Sequence, residues 1–383
     1  MAIALKKPLA SLSANPYDVV VVGAGPTGSH AAYLIAREGF STLLLERENV
    51  PGLHNACGGG LGYFLKDLFE IPDHIVQKTV SKVKLGLSDL DKLYESDRPL
   101  YISVRRAEFD AFLARRAVEN GAVLLCGHRA VDYDPLTREV VCLRRSDKQT
   151  VRFAAKIVIF ADGPRTLAYR SCKIGLAPEK ASLVGIAKEL EAEGNEHDAF
   201  EFIFDERRLP YGYLWVFPCR DVLNVGIGGP KDLLEGKADR MLEEFIESRP
   251  DLRGRKAVTV KSGLIPSFLS GKLHGEGVMV IGDAAGFVNP LTGGGIFLGM
   301  KSAQIAAKTA LEAIRLGRFD NPFLQRYTHR IKTSKIYASV KIFDALVRYS
   351  QWRYRRSGKP VLGKIFYGYS EAMFYLLKII KDI

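Results

Sequence analysis

The chain has 383 residues, 55 lysines and arginines against 43 acids (a formal charge of +12), 47% hydrophobic and 26% charged residues. That composition is ordinary for a folded globular chain and excludes a low-complexity or disordered one. Its five cysteines are scattered without a Cys-x-x-Cys pair, which excludes a disulfide framework, an iron–sulfur cluster and a zinc site, so no metal is expected.

Residues 1–15 carry Lys6 and Lys7 but no apolar stretch of the kind a signal peptide needs, and read as a loose arm. Asp18–Val22 is a β-branched run that reads as a buried parallel strand. Gly23-Ala24-Gly25-Pro26-Thr27-Gly28 follows, then a helix-forming stretch from Ser29 to Arg37. A strand, a tight glycine turn and a helix together hold a pyrophosphate: Gly23 closes the turn, Gly25 lets backbone approach the anion, and Gly28 lets helix and strand pack closely. A second strand, Ser41–Leu45, ends in Glu46, about 20 residues downstream, where this fold places the acid that bonds an adenosine ribose.

Two further turns decide which dinucleotide is expected. Lys156–Phe160 leads into Ala161-Asp162-Gly163, and Val278–Ile281 leads into Gly282-Asp283-Ala284-Ala285-Gly286. An NAD domain needs neither. FAD does, because its ribityl chain and ring extend past the pyrophosphate and want an acceptor for the ribityl hydroxyls, for which Asp283 is the candidate. Asn289-Pro290-Leu291-Thr292-Gly293-Gly294-Gly295 then opens a helix running to about Leu316, whose N-terminus would favour negative charge on a reduced ring.

Between Ala199 and Gly229 three runs, Ala199–Phe204, Tyr211–Phe217 and Val222–Gly228, read as a small antiparallel sheet. Tyr211, Tyr213, Trp215 and Phe217 alternate with Gly212, Leu214 and Val216, so one face is almost wholly aromatic. That face suits plain core packing or the wall of an apolar binding site. Cys57 stands apart from the other cysteines because Gly58, Gly59 and Gly60 follow it and permit close approach to a planar ligand; His54, just upstream, reads as a loop residue.

With these stretches the chain resembles the flavoproteins with the fold of para-hydroxybenzoate hydroxylase, and within them the geranylgeranyl reductase family. The resemblance runs from about Asp18 to Leu316. It is carried by the pyrophosphate turn with Glu46, by Cys57-Gly58-Gly59-Gly60, by Arg106, Phe109, Asp110 and Leu113 in an Arg-x-x-Phe-Asp-x-x-Leu helix, and by Pro210, Tyr213, Trp215, Phe217 and Pro218 in an aromatic strand. One departure is plain: where hydroxylases read Asp-Gly-x-x-Ser-x-x-Arg, Thr166 and Tyr169 take the serine and arginine places, a pattern that puts direct NADPH reduction in question.

The resemblance implies an α/β fold with a discontinuous Rossmann-like FAD domain (residues 16–80, 101–181 and 275–317), an antiparallel-sheet substrate domain (82–100 and 182–274) and a basic C-terminal helical region (318–383). It implies FAD contacts at Gly23, Gly25, Pro26, Gly28, Glu46, Arg47, Cys57, Gly58, Gly59, Arg106, Asp162, Gly163, Gly282, Asp283, Gly293, Gly294 and Gly295. Cys57, Tyr213 and Trp215 become the catalytic candidates. The implied reaction is hydride transfer from reduced FAD to an isolated double bond of a geranylgeranyl-type chain, with Cys57, Tyr213 or a water as proton source. Such an alkene offers no carbonyl to polarise, so positioning within about 3–3.5 Å and water exclusion would carry the catalysis. A monooxygenase or halogenase of an aromatic substrate, and a non-catalytic prenyl-lipid carrier, are the competing readings.

The charge points to partners. No second dinucleotide turn is left for NADPH, and a basic surface would steer an acidic carrier such as ferredoxin or flavodoxin. From Arg326 to Lys381 cations far outnumber acids, and Val361–Ile383 mixes aromatic and aliphatic residues with lysines. This region reads either as a helix lying on an anionic membrane or as a helical cap on the substrate domain. A cytoplasmic protein, peripheral on the membrane surface, is the expectation. Nucleic acid is not a partner, since no binding module accompanies the charge.

Overall fold

The computed structural model describes residues 16–53, 56–87, 90–180, 183–192, 197–266 and 268–379, and of 90, 180 and 371–379 the backbone only. His54 lies outside them. The chain divides into two compact units, one built from 1–53, 106–181 and 265–342, the other from 54–105, 182–264 and 343–383.

The first unit is built on a parallel sheet in the order Val278–Val280, Thr150–Phe160, Tyr17–Val22, Thr42–Leu45, Val123–Leu125. Its strands are near-continuous runs of Val, Ile and Leu because both faces are covered. Val19, Val20, Val21, Ile157, Val158 and Ile159 are fully buried, each contributing about 1.5–3 kcal/mol of transfer free energy. The strand Thr150–Phe160 does two jobs. Its first half pairs antiparallel with Glu139–Arg144, and its second half pairs parallel with Tyr17–Val22. The helices Pro26–Ala36 and Arg106–Glu119 flank this sheet, and Ile296–Leu316 packs on Pro26–Ala36, with its Ala303, Ala306, Ala307, Ala310 and Ala313 buried. The helix expected from Ser29 begins at Pro26, which fills the first helical position where no N–H is needed.

In the second unit the small antiparallel sheet of the sequence reading is the middle of a seven-stranded one, in the order Ala257–Ile265, Leu183–Glu191, Val222–Pro230, Tyr213–Pro218, Ala199–Phe204, Lys82–Leu87, Leu90–Glu95. The pair Ala199–Phe204 and Lys82–Leu87 runs parallel. One face carries Leu214, Val216, Val225 and Ile227 and buries them against Leu242 and Ile246 of the helix Ala238–Ser248. The other face is aromatic. A separate three-stranded sheet joins Gly60–Gly62, Tyr101–Val104 and Val76–Val80, which is why residues 54–80 belong to this unit and not to the first. Tyr211 is not on the aromatic face: Gly212 sits against the Gly228 carbonyl before the strand begins, and the Tyr211 ring turns to meet Tyr354 edge-on at 5.1 Å.

Candidate functional site

The cofactor loops of the first unit meet because their strands end in register. Val22 pairs with both Leu45 and Phe160, and Phe160 pairs with Val280. The ladder then continues one rung into the loops: Gly23 N–H donates to the Leu45 carbonyl at 2.8 Å, Ala161 N–H to Val22 at 2.8 Å, and Ile281 N–H to Phe160 at 2.9 Å. Gly23, Glu46, Asp162 and Gly282 therefore emerge side by side at the carboxyl edge of the sheet, the edge at which α/β folds bind ligands.

The glycines behave as the motif requires. Gly23 has φ +101°, and a Cβ there would stand 2.5 Å from the Ala161 carbonyl oxygen; a Cβ on Gly28 would stand 1.9 Å from that of Gly23. A Cβ on Gly25 or Gly163 would meet nothing within 4 Å. The first two are closed by protein, and the second two face open space. Thr27 fills the gap on the far side, wedged against Gly282 and Gly299, where a Cβ would come within 2.8 and 2.2 Å of its hydroxyl. Ser302 accepts from Gly282 N–H at 3.0 Å and donates to the Gly299 carbonyl at 2.6 Å. Thr27, Gly299 and Ser302 escaped the sequence reading because Thr27 meets Gly282 and Gly299 from the opposite end of the chain, and a serine inside a helix gives no local sign that it bonds a loop.

The carboxylates are arranged to hold the loops and to receive a ligand. Glu46 is buried and accepts from Ala24 N–H at 3.0 Å and Glu48 N–H at 2.9 Å. It thus shapes the phosphate turn itself, and burial raises its pKa against the pull of those bonds. Asp162 accepts from Leu167 N–H through Oδ2 at 2.7 Å, while its buried Oδ1 has no partner among the described residues. Burial pushes Asp162 up to about 6, opposed by that backbone bond, by Thr166 and by the charge of Arg47. Burial likewise pushes Asp283 up to about 6, opposed by Arg106. Arg106 is fixed by a two-pronged pair with buried Asp110, at 2.8 Å for both bonds.

Both helices that begin at this edge lack side-chain caps. Pro26–Ala36 and Ile296–Leu316 each start from a glycine N-cap with no acid in the first turn, so their terminal N–H groups are left to an outside acceptor. Asn289 closes the preceding loop, accepting from Leu291 and Thr292 and leaving Gly293, at φ +69°, and the neighbouring Gly294 and Gly295 at the helix start. An unpartnered buried carboxylate oxygen, two open glycines and two uncapped helix N-termini are what a dinucleotide with a polyhydroxyl chain would satisfy. The residues fit FAD.

The second unit places the cysteine loop on the aromatic face. Phe200, Phe202, Tyr213, Trp215 and Phe217 share this face, with Phe200 stacked on Phe217 at 4.4 Å and Phe366 of the helix Leu362–Ile379 5.3 Å from Phe202. The loop lies flat across it. A Cβ on Gly58 would stand 2.9 Å from Phe217 and 3.1 Å from the Trp215 indole nitrogen, and one on Gly60 would stand 2.6 Å from Phe200. Gly59, at φ +71°, turns against the Val104 carbonyl. These glycines were expected to make room for a planar ligand, but the planar groups Gly58 and Gly60 admit are the protein's own rings.

Trp215 needs a similar correction. Its indole N–H donates to Asn224 Oδ1 at 2.8 Å, Asn224 Nδ2 donates to the Cys57 carbonyl at 3.1 Å, and the ring is packed so closely that a Cβ on Gly226 would stand 2.1 Å from it. Trp215 therefore braces the Cys57 loop through Asn224. Asn224, which carries that support to the backbone, was missed because an asparagine inside a strand gives no sequence signal. Tyr213 is different: burial, with the Cys57 thiol and Tyr101 acting on it, raises its phenol well above the ordinary tyrosine range, and burial pushes Tyr101 up to about 12. Both phenols stay protonated at any working pH.

Two outcomes follow from this geometry. Asp162 and Asp283 bind protons more readily folded than unfolded, so between about pH 4 and 6 the folded apoprotein holds more protons and loses stability as pH rises. The melting temperature of FAD-free protein should fall across that window, and the double variant D162N/D283N should flatten the fall; an unchanged slope contradicts the buried placement. Replacing Asn224 by leucine orphans the Cys57 carbonyl and the Trp215 N–H, each hydrogen bond being worth about 1 kcal/mol. Alkylation of Cys57, followed by peptide mass mapping, should quicken roughly fivefold while FAD content holds; an unchanged rate removes Asn224 from the loop's support.

The comparisons agree with the geometry. A family model for FAD dependent oxidoreductases matches residues 18–170, and one for the geranylgeranyl reductase catalytic domain matches residues 184–265. A digeranylgeranylglycerophospholipid reductase of Methanothermobacter thermautotrophicus is 35% identical over 331 residues, covering 82% of this chain and 83% of that one. A protein of the same name from Methanopyrus kandleri is 34% identical over 82% of this chain and 85% of its own. The crystal structure of a geranylgeranyl bacteriochlorophyll reductase-like protein from Thermoplasma acidophilum superposes with a TM-score of 0.77 at 25% identity, covering 87% of this chain and 90% of that one. A myxobacterial halogenase, at 19% identity and a TM-score of 0.69, shares the fold alone. The chain belongs to the geranylgeranyl reductase family of FAD-dependent oxidoreductases.

Proposed function

We propose that this enzyme saturates the geranylgeranyl chains of a digeranylgeranylglycerophospholipid, with the aromatic face of the second unit as the seat of the polyprenyl chain. Membership of the family gives the reaction class, FAD-dependent reduction of carbon–carbon double bonds. The glycerophospholipid head group is carried over from the names of the relatives that cover more than four-fifths of the chain. FAD supplies the hydride when bound.

The single observation that carries the reading is the chemistry of that face. Tyr213, half-buried, stands in front of the buried rings of Phe200, Phe202 and Phe217 and makes an apolar aromatic wall, and an apolar chain gains about 25 cal/mol for each Å² it removes from water. The same surface keeps water away from an alkene that has no polar handle. Tyr213 brings a phenol that stays protonated into this apolar setting, and in this reading its place in the aromatic wall makes it the donor to the neighbouring carbon. The Gly226 and Asn224 contacts of Trp215 keep the cysteine loop in one conformation while this happens.

The reductant in this reading is an acidic single-electron carrier of the ferredoxin or flavodoxin type. The net charge of +12 supports it, as does the chain's single dinucleotide turn, already assigned to FAD.

Reduced anaerobically with dithionite and given digeranylgeranylglycerophospholipid, the protein should yield products heavier by two hydrogens for each double bond saturated, read by mass spectrometry. Tyr213→Phe should slow turnover by about 10²-fold or more with FAD retained. Products unchanged in mass with every prenyl lipid, alongside oxygen-dependent hydroxylation of an aromatic, would overturn the proposal.

A further inference from the structure

The sequence places basic and aromatic residues throughout the C-terminal region, but the structure sorts them. The described part of the last helix, Leu362–Ile379, turns inward: Leu362 and Phe366 are buried, Phe366 packs on Phe202, Phe204 and Tyr213, and Gly363 N–H donates to Glu206 at 3.0 Å. That segment is a cap on the aromatic face. The preceding helix, Lys335–Ser357, is the one that faces out.

Along that helix Ile342, Tyr349 and Trp352 are 60%, 49% and 54% exposed, while Ile336, Val340 and Ser350 on its other side are buried. Ile342, Ala345, Tyr349, Trp352 and Arg356 follow one another at three or four residues and form a single stripe. Lys341, Arg348 and Arg355, each seven apart, run beside it. Residues 335–359 hold seven lysines and arginines against one acid, Asp344, which pairs with Arg348 at 2.9 Å. Among the described residues no carboxylate pairs with Arg353, Arg355 or Arg356, and Arg356 lies over the Trp352 ring at 5.6 Å.

We propose that the outward face of Lys335–Ser357 docks on the headgroup layer of an anionic lipid bilayer. Its cations complement anionic headgroups, and its Ile–Tyr–Trp stripe matches the boundary between headgroups and acyl chains, where tryptophan and tyrosine settle. An acidic protein would be drawn by the cations but would have no use for the apolar stripe between them. No helix among the described residues is long and apolar enough to cross a membrane, so this helix lies on the surface. The surface deepens the functional reading above by bringing the enzyme to the phase that holds a double-chain lipid. It rests on that reading only for its purpose, since vesicle binding is measured without turnover and the two can fail separately.

The FAD-loaded protein should co-sediment with vesicles of phosphatidylglycerol and phosphatidylcholine, bind vesicles of phosphatidylcholine alone far more weakly, and lose most binding in high salt. The triple variant R353Q/R355Q/R356Q should bind the anionic vesicles roughly a hundredfold more weakly, at about fivefold per cation. The corresponding triple lysine variant should restore binding. Y349S/W352S should also detach the protein while keeping its flavin and its turnover of detergent-dispersed lipid. Unaltered sedimentation of the glutamine or serine variants would overturn the proposal. So would a self-association, seen by analytical ultracentrifugation, that Y349S/W352S abolishes, because the face would then belong to a second copy.

Discussion

The first unit depends on one constraint: its parallel strands end in register, and their ladder carries one rung beyond the sheet. The bonds from Gly23, Ala161 and Ile281 to the neighbouring strand ends fix where each loop begins. The loops are far apart in the chain, so their convergence is a property of the sheet and not of any motif. Thr27 then locks the first loop to the last through glycines that leave no space for a side chain, and Ser302 holds the last loop to its own helix. What remains open at this edge is polar and unsatisfied: Asp162 Oδ1, two uncapped helix starts and the free approach at Gly25 and Gly163. A protein that stopped there would leave buried polar groups unpaired, at a cost of about 1–3 kcal/mol each. FAD binding removes that cost.

The second unit solves a different problem. An isolated alkene gives a protein no charge and no hydrogen bond to grip, so recognition must come from shape and from surface taken out of water. In the proposed reading the aromatic face supplies this surface, while the opposite face of the same sheet is ordinary aliphatic core. The polar atoms near the rings are few and each has a task. The Trp215 N–H and the Asn224 amide are engaged in holding Cys57, and the Tyr213 phenol is kept protonated.

Much of this was legible in the sequence, for reasons that can be stated. The strand–turn–helix at Gly23–Gly28 is local, and the β-branched runs before Glu46, Asp162 and Gly282 mark strands buried on both faces. The three central strands of the substrate sheet were readable from their alternation. Its other strands were not: Lys82–Leu87 alternates lysine with apolar residues and pairs in parallel with a strand more than a hundred residues away, and Ala257–Ile265 has no buried residue to mark a core face. Tyr211 was assigned to the aromatic strand by alternation alone, and Gly212, pressed against the Gly228 carbonyl, breaks that pattern. Trp215 was legible as important but not in its role, because an indole that braces a loop and an indole that lines a cavity have the same sequence. In the tail, composition announced a basic aromatic surface without saying which helix turns outward.

The central claim, that a flavin held by the three loops reduces a prenyl double bond directly, is tested most simply by the colour of the protein. FAD reduced by light in the absence of oxygen should regain its yellow absorbance when a geranylgeranyl glycerophospholipid is added, and should stay bleached with the fully saturated lipid. A flavin that stays reduced with the unsaturated lipid, and recovers only when oxygen is admitted, would contradict it.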